Sequence, residues 1–592
     1  MHAVFVLMFL FTATPLALCN PPDRFFRSSS SLSRTLASHK PQKYFEVARP
    51  LPSDHLTPSR TLHIIHHSFA NTIDHPPFTT PYSPPSDCPS PWSHVTLEFH
   101  AKSRGDQYDR ISGLWLGGVE LLRTSTAEPT QNGVFWTVRK DITRYSSVLS
   151  EKHLNFTMML ENIINSVYTG IYHVDVKIFF YKDNAVRFPL LGNNQIKILN
   201  EEAEEEIGFR TKNVNESPAD LIIPISSNNG INKGYWFVIK DESDIHFKKV
   251  RFPNNARKVV LELYVSFHGN DEFWYSNPSN SYIRVNNLTT LRGNGAYREV
   301  FVTIDGKYVA SEVPSPVVFT GGINPLLWEP VVAMGAFNLP SYDFDLTPFL
   351  GMVLDGKKHE FGIGVNNGIS YWLVNANLHI WVDHQIRRVE AKSVDYYYPS
   401  SYIRRSEEFQ LLDGSFEIKG KRRTRSVGWV ISSSGNLTTL VSQQFKFRNL
   451  ISFGRSGTYK YVKQRIKSKK EVKVFNEVGS LISRAMVKRR FPLKVITLNL
   501  AGSEKGTYML VTNVSLALKE RHTNGEFSSN VYNKQDTNGR ITVKGHEVLS
   551  GEARTNQTLS WFHELGCYIR IVAAFSGRVI RDDTTYVCPS VM

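Results

Sequence analysis

The chain has 592 residues, 41% of them hydrophobic and 12% aromatic, and carries 69 Lys+Arg against 54 Asp+Glu for a net charge of +15. That apolar content is enough for packed cores, which excludes a disordered or fibrous protein, and the length predicts about three domains. The basic residues are dispersed along the sequence rather than gathered in one tail, so the charge does not by itself point to a nucleic-acid partner.

Residues 1–19, MHAVFVLMFLFTATPLALC, set an apolar run before Ala17-Leu18-Cys19 and fit a cleaved secretory signal, although the start lacks Lys or Arg. The run is shorter than the ~20 residues that span a bilayer, so no stable membrane insertion is expected. The expected location is the secretory pathway, ending outside the cell, in the cell wall or in the vacuole, and that compartment argues against nucleic acid. Residues 20–43 are Ser/Arg-rich and read as a disordered lead. From Tyr44 to Ser93 the chain is dense in Pro and reads as an extended arm wrapping the first domain. His63, His66 and His67 in this arm read as surface or strand-edge histidines, because no Cys or carboxylate partner sits at ligand spacing. No metal and no cofactor is expected.

Ile111–Leu116, the pair Gly117-Gly118 and Val119–Arg123 have the form of a tight β-hairpin. A second hairpin of the same design runs Val302–Ile304, Asp305-Gly306, Lys307–Val309. The echo extends outward. Val95–Phe99 answers Val259–Leu263, Asp141–Tyr145 answers Asp345–Phe349, Phe156–Leu160 answers Phe361–Val365, and Val174–Asp183 answers Val374–Asp383. The reading is an all-β chain with two copies of one antiparallel sandwich. The first covers residues 44–200 with its arm and the second 221–388. The acidic patch Glu201–Glu206 marks a linker over 201–220. Two Pro/Gly-rich loops of the second copy, Asn277–Arg292 and Gly321–Leu339, are long enough to be functional.

Residues 389–426 read as a second linker, in which Lys421-Arg-Arg-Thr-Arg425 is either a processing site giving a two-chain form or a solvated loop. From Val427 to the end, short Val/Ile/Thr/Tyr strands with Gly/Asn/Asp turns predict a C-terminal β-domain. Six Asn-x-Ser/Thr triplets, at Asn155, Asn215, Asn287, Asn436, Asn513 and Asn556, agree with a secreted glycoprotein, Asn215 being the least favourable because Pro218 follows. Cys567 and Cys588 flank the Ser576-Gly577 turn and are expected to form a disulfide, leaving Cys88 unpaired or paired elsewhere.

No nucleophile elbow, His-Glu-x-x-His pair or phosphate-binding lysine loop is present, so carboxylates are the candidate workers. Asp109 and Arg110 should point to opposite faces of a strand and so need not neutralise each other. Glu161 should point away from the core that Met158 and Leu160 enter, and its counterpart in the second copy is Asn366.

The segment GLWLGGVELLRTSTAEP, together with SFHGNDEFWYSNP and the run from Phe319 to Val374, resembles the plant peptide N-glycosidase A family over nearly the whole mature chain. The first copy resembles, more distantly, the bacterial peptide N-glycosidase F, a pair of jelly-roll sandwiches with a site between them. The resemblance implies an amidase that cuts between an Asn side chain and N-acetylglucosamine of N-glycosylated peptides, leaving Asp and a glycosylamine. It further implies no metal, an acidic working pH and tolerance of core-fucosylated glycans. It puts the catalytic aspartate at Asp109, in Asp106-Gln-Tyr-Asp109-Arg110, with Glu161 and Glu272 as further acids and Arg110 beside the substrate. Ile163 departs from the aromatic that the bacterial family has there. Trp115, Trp274 and Trp328 are candidate sugar platforms. A non-catalytic glycan-binding protein and a glycoside hydrolase with a spaced carboxylate pair are the competing readings.

Overall fold

The computed structural model describes residues 26–27, 40–182, 217–227, 234–564 and 566–588. The expected signal segment 1–19, Asn215 and most of the expected acidic linker lie outside these residues. The opening strand β1 (Phe26–Arg27) falls within the expected disordered lead and is ordered, pairing in parallel with a strand of the C-terminal sheet.

The first sandwich is built from β2 (Gln42–Tyr44), β3 (Arg60–Phe69), β4 (Phe78–Tyr82), β5 (His94–Arg104) and β6 (Ile111–Leu116). It continues with β7 (Val119–Ser125), β8 (Val134–Asp141), β9 (Leu154–Leu160) and β10 (Ile171–Tyr181). The second contains β11 (Leu221–Ile225), β12 (Phe237–Ile239), β13 (His246–Arg251), β14 (Ala256–Phe267) and β15 (Glu299–Ile304). Its remaining strands are β16 (Lys307–Glu312), β17 (Ser341–Asp345), β18 (Lys358–Asn366) and β19 (Trp372–Val382).

Strand order carries the duplication. The first sandwich has sheets β2-β8-β5-β10-β3 and β4-β9-β6-β7; the second has β11-β19-β14-β17, with β12 also on β19, and β13-β18-β15-β16. Replacing β3, β4, β5, β6, β7, β8, β9 and β10 by β11, β13, β14, β15, β16, β17, β18 and β19 converts one topology into the other. Both hairpin turns have positive φ at both central residues, +58° and +87° at Gly117-Gly118 and +48° and +77° at Asp305-Gly306, as a two-residue type I′ turn requires. Alternation does the rest: in β10, Val174, Val176, Ile178 and Phe180 turn inward against Val95, Leu97, Phe99 and Ala101 of β5.

Three boundaries differ from the sequence expectation. Part of the expected arm is sandwich strand, β3 and β4, and the preceding segment reaches past its own sandwich: Phe45 bridges Val331, and the Glu46 carboxylate accepts the backbone N–H groups of Gly335, Phe337 and Asn338 at 2.7, 2.9 and 3.2 Å. The expected linker 389–426 is strand, namely β20 (Glu390–Tyr397), β21 (Tyr402–Gln410) and the first part of β22 (Asp413–Ser432). Lys421–Arg425 lies inside β22, paired with β23 along its whole length and with β21 at Lys421 and β20 at Arg425 on the other side, and Arg422 turns inward to pair with Glu299. A basic run becomes strand here because alternation leaves Lys421, Arg423 and Arg425 in solvent and turns only Arg422 inward, where a buried carboxylate meets it.

The C-terminal domain therefore begins near residue 390. It continues through β23 (Gly435–Gly454), β24 (Tyr459–Phe475), β25 (Leu481–Ala501), β26 (Thr507–Asn524) and β27 (Phe527–Lys544), then β28 (Glu547–His563), β29 (Gly566–Phe575) and β30 (Arg578–Thr585). From β22 onward each strand pairs with the one before it, making a single large meander. Its inner face packs on the second sandwich: Asn449 donates to Tyr275 O, Gln535 to Val332 O and Thr555 to Leu327 O. The Cys567–Cys588 disulfide is formed, with Cα atoms 5.2 Å apart, and Cys88 is a buried free thiol. Among the described residues no helix is long and apolar enough to cross a membrane.

The two sandwiches meet through buried charge. Arg123 of β7, fully buried, forms a two-toothed ion pair with Glu120 (2.8 Å each) and also donates to Ser266 Oγ, Leu373 O and Asn375 Oδ1 of the second sandwich. Glu262 of β14 accepts from Tyr145, Ser341, Asn377 and Arg144 and contacts His379 Nε2 at 3.1 Å. Burial opposes ionisation of Glu262, yet Arg144, His379 and Lys140 hold its carboxyl well below the usual carboxylate range.

Candidate active site

The loop Asp106–Arg110 enters β6 and is tied to the loop after β9. Asp106 O accepts from Thr169 N and Gly170 N, Gln107 Nε2 donates to Ile163 O, and the Tyr172 hydroxyl donates to Tyr108 O. Arg110 donates to Gln107 Oε1 at 2.6 Å, in keeping with the expectation that it does not neutralise Asp109. Asp109 is buried, with its Oδ1 and the neighbouring Arg110 Nε lacking a hydrogen-bond partner among the described residues. A buried carboxylate oxygen without a protein partner is costly unless something else occupies it, which marks the spot where a ligand or water fits.

Gly321, from the long loop of the second sandwich, closes over this carboxylate. A Cβ there would stand 2.4 Å from Asp109 Oδ1 and 2.4 Å from Glu128 Oε1, so the two acids converge on one glycine. Glu128 is buried and was not singled out from sequence; the signal was present as the one charged residue in the run Ser125–Pro129. The next residue, Gly322, lies against Phe273, whose ring stands 3.2 Å from where its Cβ would be, and Phe273 directly follows Glu272.

Glu272 is itself buried and caps a short turn after His268. Asp271 anchors that turn: its carboxylate takes two 2.7 Å bonds from Arg298, one of 2.7 Å from Trp372 Nε1, and others from Ile369 N and Asn277 Nδ2. His268 stacks between Phe319 and Tyr371, and its Nε2 lies 2.9 Å from Ser266 Oγ, the hydroxyl to which Arg123 donates. The inter-sandwich ion pair thus connects to the turn that carries Glu272.

Glu161 is half-buried at the end of β9, one residue past the Leu160–Ser112 pair. Met159, two residues back and so on the same face, packs with Trp115, Trp236 and Leu373, and Ile111 and Tyr371 border this cluster. Glu161 therefore leaves the first sandwich on the side where Tyr371 and His268 stand. The structure brings Asp109 and Glu128 of the first sandwich together at Gly321 of the second, with Gly322 against Phe273 in the turn that carries Glu272, while Met159, two residues before Glu161, packs in the cluster that Tyr371 borders.

The tryptophans are placed otherwise. Trp115, Trp274 and Trp328 all have 0% exposure and offer no face to a sugar. Trp115 fills the inter-sandwich cluster, Trp274 packs against Phe267, Tyr275 and Phe447, and Trp328 donates to Gly322 O. Strand alternation could not reveal this for Trp115, because both faces of β6 are covered, and Trp274 and Trp328 lie in short turns outside any strand. Tyr235 and Tyr371 at the junction, and the neighbouring rings of Tyr108 and Tyr168 in the loops around Asp109, are half-buried and keep an accessible part. His63 and His66 are exposed on β3, and His67 stacks on Phe78; among the described residues no group of three His, Cys, Asp or Glu could hold a metal ion. The Asn277–Arg292 loop helps line a separate cavity of about 510 Å³ shared with β21–β23.

Fold and site together define a two-sandwich β-protein with carboxylates gathered where its duplicated halves meet. The family model described as peptide N-acetyl-beta-D-glucosaminyl asparaginase amidase A matches residues 49–399, and the chain belongs to this family. It is 41% identical over 550 residues to the peptide-N4-(N-acetyl-beta-glucosaminyl)asparagine amidase A of Prunus dulcis, covering 93% of each chain. Among solved structures it is similar to PNGF-II (12% identity, 55% of this chain and 65% of the other, TM-score 0.35). It is also similar to PNGase F, a glycosylasparaginase from Flavobacterium meningosepticum (13% identity, 55% and 96%, TM-score 0.32).

Proposed function

We propose that the protein is a peptide-N4-(N-acetyl-beta-glucosaminyl)asparagine amidase acting on N-glycosylated peptides. Identity of 41% along almost the whole length of both chains carries the reaction. Water adds to the side-chain carbonyl carbon of the glycosylated Asn, the carbon–nitrogen bond breaks, and the nitrogen leaves on the sugar as a glycosylamine after gaining a proton. The peptide keeps Asp. Asp109 is the residue that meets the amide and the water, because its Oδ1 has no protein partner among the described residues in an otherwise bonded loop. Glu272 of the second sandwich and Glu161 of the first orient water and sugar, while among the described residues Arg110 Nε has no protein partner and is open to the substrate. Carboxylates in such unlike surroundings can divide donor and acceptor work between them.

Incubation with a glycopeptide in ¹⁸O-water tests this reading. One heavy oxygen in the new Asp, with the whole glycan released, is expected; a peptide retaining one N-acetylglucosamine indicates a glycoside hydrolase, and no cleavage a binding protein. Asp109→Asn should lower kcat by about 10²–10⁴-fold, with thermal unfolding unchanged.

Secretion belongs to the same proposal. It is supported by the segment 1–19, by the disulfide, and by Asn155, Asn287, Asn513 and Asn556, whose side chains are exposed, with Asn436 half-buried. Cleavage near Arg425 is not part of it, since that residue lies inside a paired strand.

A further inference from the structure

The dispersed basic residues of the sequence are gathered by the register of the C-terminal sheet. Directly opposed residues on neighbouring strands share a face. Reading across five adjacent strands, Lys421 of β22 lies opposite Lys446 of β23, Lys446 opposite Lys467 of β24, Lys467 opposite Arg490 of β25, and Arg490 opposite Lys519 of β26. All five face solvent, Lys467 partly. None of them is ion-paired among the described residues. The rows beside this one are basic too: Lys419, Arg448 and Arg465 on one side, and Arg423, Lys469, Lys488 and Arg521 on the other, interrupted by Gln444.

A tyrosine closes each end of the central row. Tyr402 lies opposite Lys421 on one side and is 60% exposed, and Tyr532 lies opposite Lys519 on the other, each ring with the lysine ammonium over it. Like charges set directly opposite one another destabilise a sheet. Acids border the patch, with Glu417 held by Lys419 and Arg448 and Glu471 by Lys469 and Arg484, but the central row is left uncompensated.

We propose that this face binds an acidic polysaccharide carrying a carboxylate on each sugar, laid along the row across the strands. Neighbouring strands are about 4.8 Å apart, so the row offers five charges over roughly 19 Å. That is one cation per strand, sparser than the phosphates of duplex DNA at one per ~1.7 Å of axis. Pyranose rings at the ends of the bound stretch meet the two tyrosines, whereas a single-stranded nucleic acid would call for aromatic platforms along the whole track. The face belongs to the domain that backs the second sandwich and takes no part in the amidase chemistry; its occupancy would hold the enzyme on an anionic matrix.

The test uses the full-length protein and immobilised polygalacturonate at roughly 0.15 M ionic strength. Binding that falls steeply with added salt is expected. The triple variant Lys446→Gln/Lys467→Gln/Arg490→Gln should bind about tenfold or more weakly, while Lys102→Gln/Lys152→Gln/Lys240→Gln, of equal net charge, should change binding by less than about twofold. Cleavage of a small soluble glycopeptide should be unchanged in both. No binding by the parent protein, equal weakening by the two variants, equal binding to the methyl-esterified polymer, or tighter binding of oligothymidylate at the same salt would each overturn the proposal.

Discussion

Position 321 admits no side chain without moving the acids around it. The methyl group of Gly321→Ala would occupy the space held by Asp109 Oδ1 and Glu128 Oε1, and both carboxylates are buried, so they would have to turn away. Misplacement of a reacting group by about 1 Å costs on the order of 10²-fold, so kcat should fall by about that factor while circular dichroism stays native. Trp115 makes the opposite case. As a filled part of the inter-sandwich cluster, Trp115→Ala should lower unfolding free energy by about 3–5 kcal/mol in urea titration, with KM for glycopeptide little changed. Asp109 was a candidate from sequence because the short Asp106–Arg110 signature, just ahead of the long family motif that starts at Gly113, resembles the one that carries the bacterial aspartate. The role of Trp115 could not, because aromatic residues suit a core and a sugar platform equally until the covering layer is known.

Among the larger elements, the segment around Glu46 links the start of the chain to a loop almost 300 residues away. Withdrawal from water pushes the Glu46 carboxyl up to about 7 against the pull of three backbone N–H groups. Its folded value is above the unfolded one, so the native state holds an extra proton between about pH 4.5 and 7. The stability this group contributes is full below that window and is lost as pH rises through it. Glu46→Gln should flatten the melting temperature across that range relative to the parent protein. The two hairpins were legible in the sequence because their turns are local chemistry: two residues able to adopt positive φ between apolar strands. The strands from 390 to 426 were not, because four basic residues within the five positions Lys421–Arg425 resemble a solvated loop until Glu299 is seen to meet Arg422. The cationic row was hidden for a related reason, since its members are 21 to 29 residues apart in sequence and adjacent only through register.

On the scale of the whole molecule, the halves are joined by polar groups that cannot be removed singly. Glu262→Gln leaves Arg144 and Lys140 facing a neutral amide, and a broken buried ion network costs about 3–5 kcal/mol, readable as a lower urea midpoint. The Glu262 carboxyl is depressed in the fold, so its contribution is present above the unfolded carboxylate value and is lost as pH falls. Comparing the parent and Glu262→Gln at pH 7 and below pH 4 should show the gap closing in acid. The duplication itself was readable from sequence, whereas this network was not, because it joins Tyr145 to Glu262 and Arg123 to Asn375 across the two copies.

The strand orders also separate the halves of the molecule in time. In each sandwich a late strand inserts beside an early one, as β10 does between β5 and β3, so a sheet closes only after most of its domain has left the ribosome. From β22 onward every strand finds its partner in the hairpin just made, and chains emerge from the N-terminus first. The meander is therefore laid down one hairpin at a time on sandwiches that already exist, and they act as its template.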